Sequence, residues 1–136
     1  MEETPLEALE RITPTLSDIG VKNNGLGDVL RHEMVQGTNL LWGLHKEDDL
    51  AIAKGFMSAE SEFPVHVHEG SHEYVFVLSG CMTFHFPDTK DFKTLERGNQ
   101  IHILPDVAHY VTAQKDTWYV VMTIPADEAF PNVRKS

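Results

Sequence analysis

From residue 38 onward the chain divides into short apolar-rich runs, each closed by residues that favour turns. The runs 38–45, 50–58, 63–68, 73–79, 81–86, 92–95, 100–104, 108–114 and 117–124 are predicted strands. Between them stand Lys46-Glu47-Asp48-Asp49, Ser79-Gly80, Pro87-Asp88-Thr89-Lys90, Arg97-Gly98-Asn99, Pro105-Asp106 and Lys115-Asp116, which supply the backbone angles and local hydrogen bonds that turns need. Before them, Thr4-Pro5-Leu6-Glu7 reads as a capping box, and Leu6, Leu9 and Ile12 recur at helical spacing up to Pro14. Residues 1–25 are therefore read as a short N-terminal helix and linker. Residues 26–36 fit either a helix or a first strand. Residues 26–130 form the main domain, and the polar tail 131–136 is expected to fray. Many short strands with no helices between them predict an all-β sandwich or jelly roll, with the short helix outside it.

Side chains two apart on a strand share a face. Met82, Phe84 and Phe86 thus share one face and Cys81, Thr83 and His85 the other; the pattern leaves open which face lines the barrel. The same rule gives the segment from His66 to Glu73 its chemical interest. His66 and His68 project to one side of a predicted strand, the chain turns at Gly70-Ser71, and Glu73 re-enters a strand where its carboxylate can meet the two rings. Two imidazoles and a carboxylate suit a divalent ion of borderline softness. A fourth ligand has to come from elsewhere, and His109 follows the Pro105-Asp106 turn at a strand start. His72 is a rival ligand that alternation turns to the opposite side. His85 and His102 are read as structural or surface residues, and His32 and His45 receive no role.

At these positions the chain resembles the cupin superfamily. His66, His68, Glu73 and Gly80 meet the spacing of that family's first motif, and Gly98 and His109 keep the separation of its second. The sequence departs from the pattern at Glu60 and Asp106, where the family has Gly, and at Ala113, where it often has Asn. Asp tolerates left-handed backbone angles better than most residues. The resemblance spans roughly residues 38–124. It implies a double-stranded β-helix, or jelly-roll barrel, around one divalent metal ion held by His66, His68, Glu73 and His109, with positions left for water or substrate. Fe, Mn, Ni, Zn and Co all suit this ligand set, and the family fixes no single reaction.

Composition narrows the partners. The 136 residues suffice for one domain with a real core. The formal net charge of -10 argues against nucleic acid and anionic membrane surfaces as partners. No apolar run reaches the roughly 20 residues that span a bilayer. No signal-peptide pattern opens the sequence and Cys81 is its single cysteine, so a cytoplasmic protein is expected. Two functions compete. One is a metal-dependent enzyme acting on a small polar molecule, its oxygenase, isomerase or lyase type open and its acid or base unassigned. The other is a non-catalytic small-molecule binding or sensing module. Arg31 and Lys54 can serve an anionic substrate only if they face inward. Exposed strand edges need covering, so a homodimer is expected, through the N-terminal segment and the strands before residue 60.

Overall fold

The structure, a computed structural model, describes residues 2–5, 7 and 27–133. Between 27 and 133 it contains strands and no helix. In chain order these are β1 (Val29–Arg31), β2 (Asn39–Glu47), β3 (Leu50–Met57), β4 (Glu62–His66), β5 (His72–Ser79), β6 (Cys81–Phe86), β7 (Asp91–Glu96), β8 (Gln100–Ile103), β9 (His109–Ala113) and β10 (Thr117–Ile124). Each predicted run became a strand, and the ambiguous stretch before residue 38 supplies β1. Its Leu30 pairs with Leu41 of β2, so sheet pairing decided what periodicity left open.

The strands form a six-stranded sheet, β1-β2-β3-β10-β5-β8, and a four-stranded sheet, β4-β9-β6-β7. Every ladder is antiparallel. The core lies between the sheets: Leu41, Ala53, Val75 and Val121 of the larger sheet meet Met82, Phe84, Leu95 and Val111 of the smaller one. Alternation sorts the faces. On β5, Glu73, Val75 and Val77 are buried while His72, Tyr74 and Phe76 are only half-buried on the other face. On β6, Met82 and Phe84 point into the core with Phe86 packed against it, and Cys81 and His85 face outward. Thr83, on that outward face, is nevertheless buried, bonded to Thr94 at 3.0 Å and to Gln114 at 3.1 Å. Gly80 makes the β5–β6 turn with φ +99°, and a Cβ there would lie 2.4 Å from the Asp116 carbonyl oxygen. Only glycine suits both conditions.

At the N-terminus, Glu7 N–H donates to Thr4 Oγ1 at 3.1 Å and Thr4 N–H to Glu7 Oε1 at 3.4 Å, the two bonds of a capping box. The remainder of the predicted N-terminal helix and linker lies outside the described residues. At the other end, Pro131 is buried and the Asn132 carbonyl accepts from Asp28 N–H at 3.2 Å. The first part of the expected fraying tail is thus docked on the barrel, and residues 134–136 lie outside the described residues. Among the described residues no helix is long and apolar enough to cross a membrane.

Candidate metal centre

His66 is the last residue of β4 and pairs in register with His109, the first residue of β9. This cross-strand pairing brings the two rings to 4.2 Å between centroids. The strand predicted over 63–68 ends at His66, with a register irregularity between Phe63 and His66. His68 therefore sits in the loop that follows, yet its ring lies 5.0 Å from that of His66 and 5.5 Å from that of His109. One ligand atom from each of the three lies within 4.8 Å of the others. Glu73 reaches the same point from β5 in the facing sheet: Oε2 is 2.7 Å from His68 Nε2 and Oε1 is 3.4 Å from His109 Nε2. The four residues picked out by spacing thus share one site between the two sheets.

The loop carrying His68 is tied down by the departure at Asp106. That residue has φ 66°; its N–H donates to the His68 carbonyl at 3.1 Å, and its Oδ1 accepts from Gly70 N–H at 3.3 Å. The left-handed tolerance of Asp is used, and its carboxylate adds a bond that glycine lacks. Glu60 also stands at positive φ, 62°, a conformation that suits glycine better than glutamate.

Each imidazole is oriented by its second nitrogen. His66 Nδ1 donates to the Pro64 carbonyl at 2.8 Å, His109 Nδ1 to the Val107 carbonyl at 2.9 Å, and His68 Nδ1 to Asp127 Oδ2 at 2.5 Å. A carbonyl or carboxylate oxygen can only accept, so each ring carries a proton on Nδ1, and His68, when charged, carries a second on Nε2 that a metal would displace. Nε2 is then the coordinating nitrogen, the arrangement that fixes tautomer and ring orientation around metals. Nε2 of His68 and of His109 are both buried without a hydrogen-bond partner. Buried polar atoms normally have one. The 2.7 Å approach of Glu73 to His68 is an ion-pair contact too poorly aligned to count as a hydrogen bond. A divalent cation fits this donor set: it would meet both orphaned nitrogens and the carboxylate.

The electrostatics point the same way. Burial disfavours charge on His68, but the Asp127 and Glu73 carboxylates beside it prevail and raise its pKa to about 10. Burial likewise opposes the Glu73 anion, and the His109 and His68 contacts overcome it, bringing its pKa to about 2. His66 goes the other way: burial, with His109 nearby, lowers its pKa to about 4. The buried Glu73 carboxylate and the half-buried Asp127 carboxylate, with one imidazolium between them, make a site that favours added positive charge.

The site opens into a cavity of about 530 Å³, mouth included. Its walls are mainly apolar, among them Met57, Val75, Met82, Phe84 and Val121, with His32, Asn39 and Tyr119 as further polar members. Spacing did not reveal these three, nor Asp127. A polar Asn39 opening the apolar run Leu40-Leu41-Trp42 was the available signal; Asp127 gave none, because it approaches His68 across 59 residues of chain. Arg31 is exposed and neither it nor Lys54 lines the cavity, so neither serves an anion there. His72 lies on the outer face, 2.9 Å from His102 Nε2, and Tyr74 stacks on His102 at 4.2 Å. His85 stacks on Tyr110 at 4.4 Å and bonds Thr112 at 2.9 Å. These histidines stand apart from the cluster.

No curated protein matches the sequence. Among solved structures, the chain is similar to an RmlC-like cupin from Shewanella frigidimarina, with 20% identity over 71% of this chain and 86% of that one and a TM-score of 0.62. It is similar to KdgF from Halomonas sp., with 15% identity over 71% and 91% and a TM-score of 0.62. A cupin-2 domain protein from Shewanella frigidimarina follows at 21% identity over 63% and 79%, TM-score 0.54. Such identities speak for the fold alone. A model of the cupin domain matches residues 56–125, the stretch holding all four clustered residues and most of the barrel. The chain belongs to the cupin superfamily.

Proposed function

We propose that this protein is a mononuclear metal-dependent enzyme that acts on a small molecule in the barrel cavity. One observation carries the reading: three imidazoles with Nδ1 committed to fixed oxygens each bring a ligand atom within 4.8 Å of the others, and Nε2 of His68 and of His109 face a buried carboxylate. His66, His68, His109 and Glu73 would hold the ion. Bound there, a divalent ion supplies Lewis-acid polarisation of an oxygen or a water of lowered pKa. The protein's own contribution is positional. The Pro64 and Val107 carbonyls and Asp127 keep the rings from turning, and the apolar walls exclude bulk water from the ligand's body. The ligand set admits Fe, Mn, Ni, Zn and Co.

A binding or sensing module is the second reading, favoured by the largely apolar cavity wall with few polar anchors. Elemental analysis of protein made without a histidine tag, followed by a turnover screen with each metal restored in turn, separates the two. One metal per chain with turnover of some small molecule supports the enzyme. Ligand binding with one metal per chain but no turnover supports the module, and absence of any bound metal overturns the enzyme and leaves the metal-free binding module.

A further inference from the structure

The cavity holds a second set of polar groups that the histidine cluster does not use. Tyr119 on β10 is 6% exposed and Asn39 on β2 is 3% exposed. Between them lies β3, and the residue of β3 paired with Tyr119 is Gly55. A Cβ on Gly55 would fall 2.1 Å from Tyr119 Cζ and 2.6 Å from its hydroxyl. The absent side chain is what lets the phenol lie across β3 and reach Asn39.

The protons along this path follow from one constraint. The buried Tyr119 hydroxyl needs an acceptor and donates to Asn39 Oδ1. Burial also pushes the Tyr119 pKa up, so the donor keeps its proton. With its oxygen engaged, the Asn39 amide presents Nδ2–H, which lies 2.9 Å from His32 Nδ1. A ring nitrogen that accepts carries no proton, so neutral His32 holds its proton on Nε2. Burial and the charge of nearby His68 favour that neutral form against the pull of Glu73. The ring is seated edge-on against Phe63 at 4.7 Å, and Nε2 takes no partner among the described residues.

We propose that the Tyr119–Asn39–His32 relay presents His32 Nε2–H as a fixed donor in the cavity, selecting neutral, largely apolar small molecules that carry a carbonyl oxygen. The proposal rests on reading the cavity as a ligand site and refines the ligand class. Among the described residues no lysine or arginine lines the cavity, and the Glu73 and Asp127 carboxylates at His68 already balance the charge of His68 or of a divalent ion, so a carboxylate or phosphate would be desolvated there with no counter-charge left over. A cationic ligand would meet an N–H that cannot accept. A ketone or aldehyde oxygen satisfies the donor, and its hydrocarbon part matches the walls.

The test uses the full chain with ¹⁵N-labelled histidine, metal-free and Zn(II)-loaded. Long-range imidazole correlations report the His32 tautomer, and cyclopentanone, cyclopentanecarboxylate and cyclopentylammonium serve as probes of one shape and three charges. The expected result is an Nε2–H tautomer in the wild type and a mixture in Tyr119→Phe. Cyclopentanone should move the His32 signal and bind about tenfold tighter than either charged probe, an advantage that His32→Phe removes. An Nδ1–H tautomer in the wild type, or equal binding of ketone and carboxylate, overturns the proposal. If Zn(II) loads the cluster while cyclopentanone leaves His32 untouched, the relay proposal fails and the metal reading stands. If the ketone binds at His32 in a protein that takes no Zn(II), the metal reading fails and the relay stands.

Discussion

Asp127 is the residue on which the cluster depends most from outside it. Its Oδ2 holds His68 Nδ1 at 2.5 Å, and its Oδ1 accepts from Ala129 N–H at 2.9 Å. Asp127→Asn keeps an acceptor and removes the charge. It should weaken divalent-ion binding about tenfold, as loss of such supporting partners commonly does, with little change in the folded spectrum. Unaltered affinity on equilibrium titration would assign Asp127 a purely structural role. In the metal-free protein the titrations of the clustered groups set how stability depends on pH. His68, raised to about 10, contributes stability that is complete below its ordinary 6.5 and is lost as pH rises through 10. His66, lowered to about 4, contributes stability lost as pH falls from 6.5 through 4, and Glu73, lowered to about 2, adds a loss as pH falls below 4.5. Thermal melts of chelator-treated protein should therefore peak near pH 6.5 and decline on both sides. A Tm rising steadily from neutral to alkaline pH would contradict this assignment.

At the scale of strands, the local pattern carried most of the fold and half of the site. Turn residues bounded the strands, and alternation on β5 correctly separated inward Glu73 from outward His72. The two-residue step between His66 and His68 was also legible, though the strand stopped at His66 because the β4–β9 register breaks there. What the pattern could not carry was approach between distant strands. Asn39 and Tyr119 meet only because β3 offers glycine at their crossing, and Asp127 meets His68 only after β10 has crossed the larger sheet. Gly55→Ala tests that crossing. Its Cβ would overlap the Tyr119 ring, so either the ring leaves Asn39 or β3 and β10 separate. The expected cost is about 1–3 kcal/mol of stability, read from denaturant unfolding. An unchanged midpoint would show that β3 has more room than this packing allows.

For the molecule as a whole, the outer face of the six-stranded sheet bears on assembly. Leu78 and Ile124 are 48% and 40% exposed, beside half-buried Ile52, Phe76, Val120 and Met122. The one carboxylate on β3, β5 or β10, Glu73, points inward. Across β3, β10 and β5 this face of a chain of net charge -10 carries no acid, and Glu47 of β2, opposite Leu50, stands at its rim, so two copies can meet on this strip with little like-charge repulsion. Sedimentation at micromolar concentration should give a dimer; a species of 15.4 kDa throughout would contradict it.

The central claim concerns the ion at the convergence of His66, His68, His109 and Glu73, and equilibrium metal titration of untagged, chelator-treated protein tests it most directly. The account predicts one divalent ion per chain in the wild type and in His72→Ala/His102→Ala, whose imidazoles lie on the outer face. It predicts near-complete loss in His66→Ala/His109→Ala, with folding verified by circular dichroism. Full occupancy in that last variant, or an emptied site in His72→Ala/His102→Ala, would contradict it.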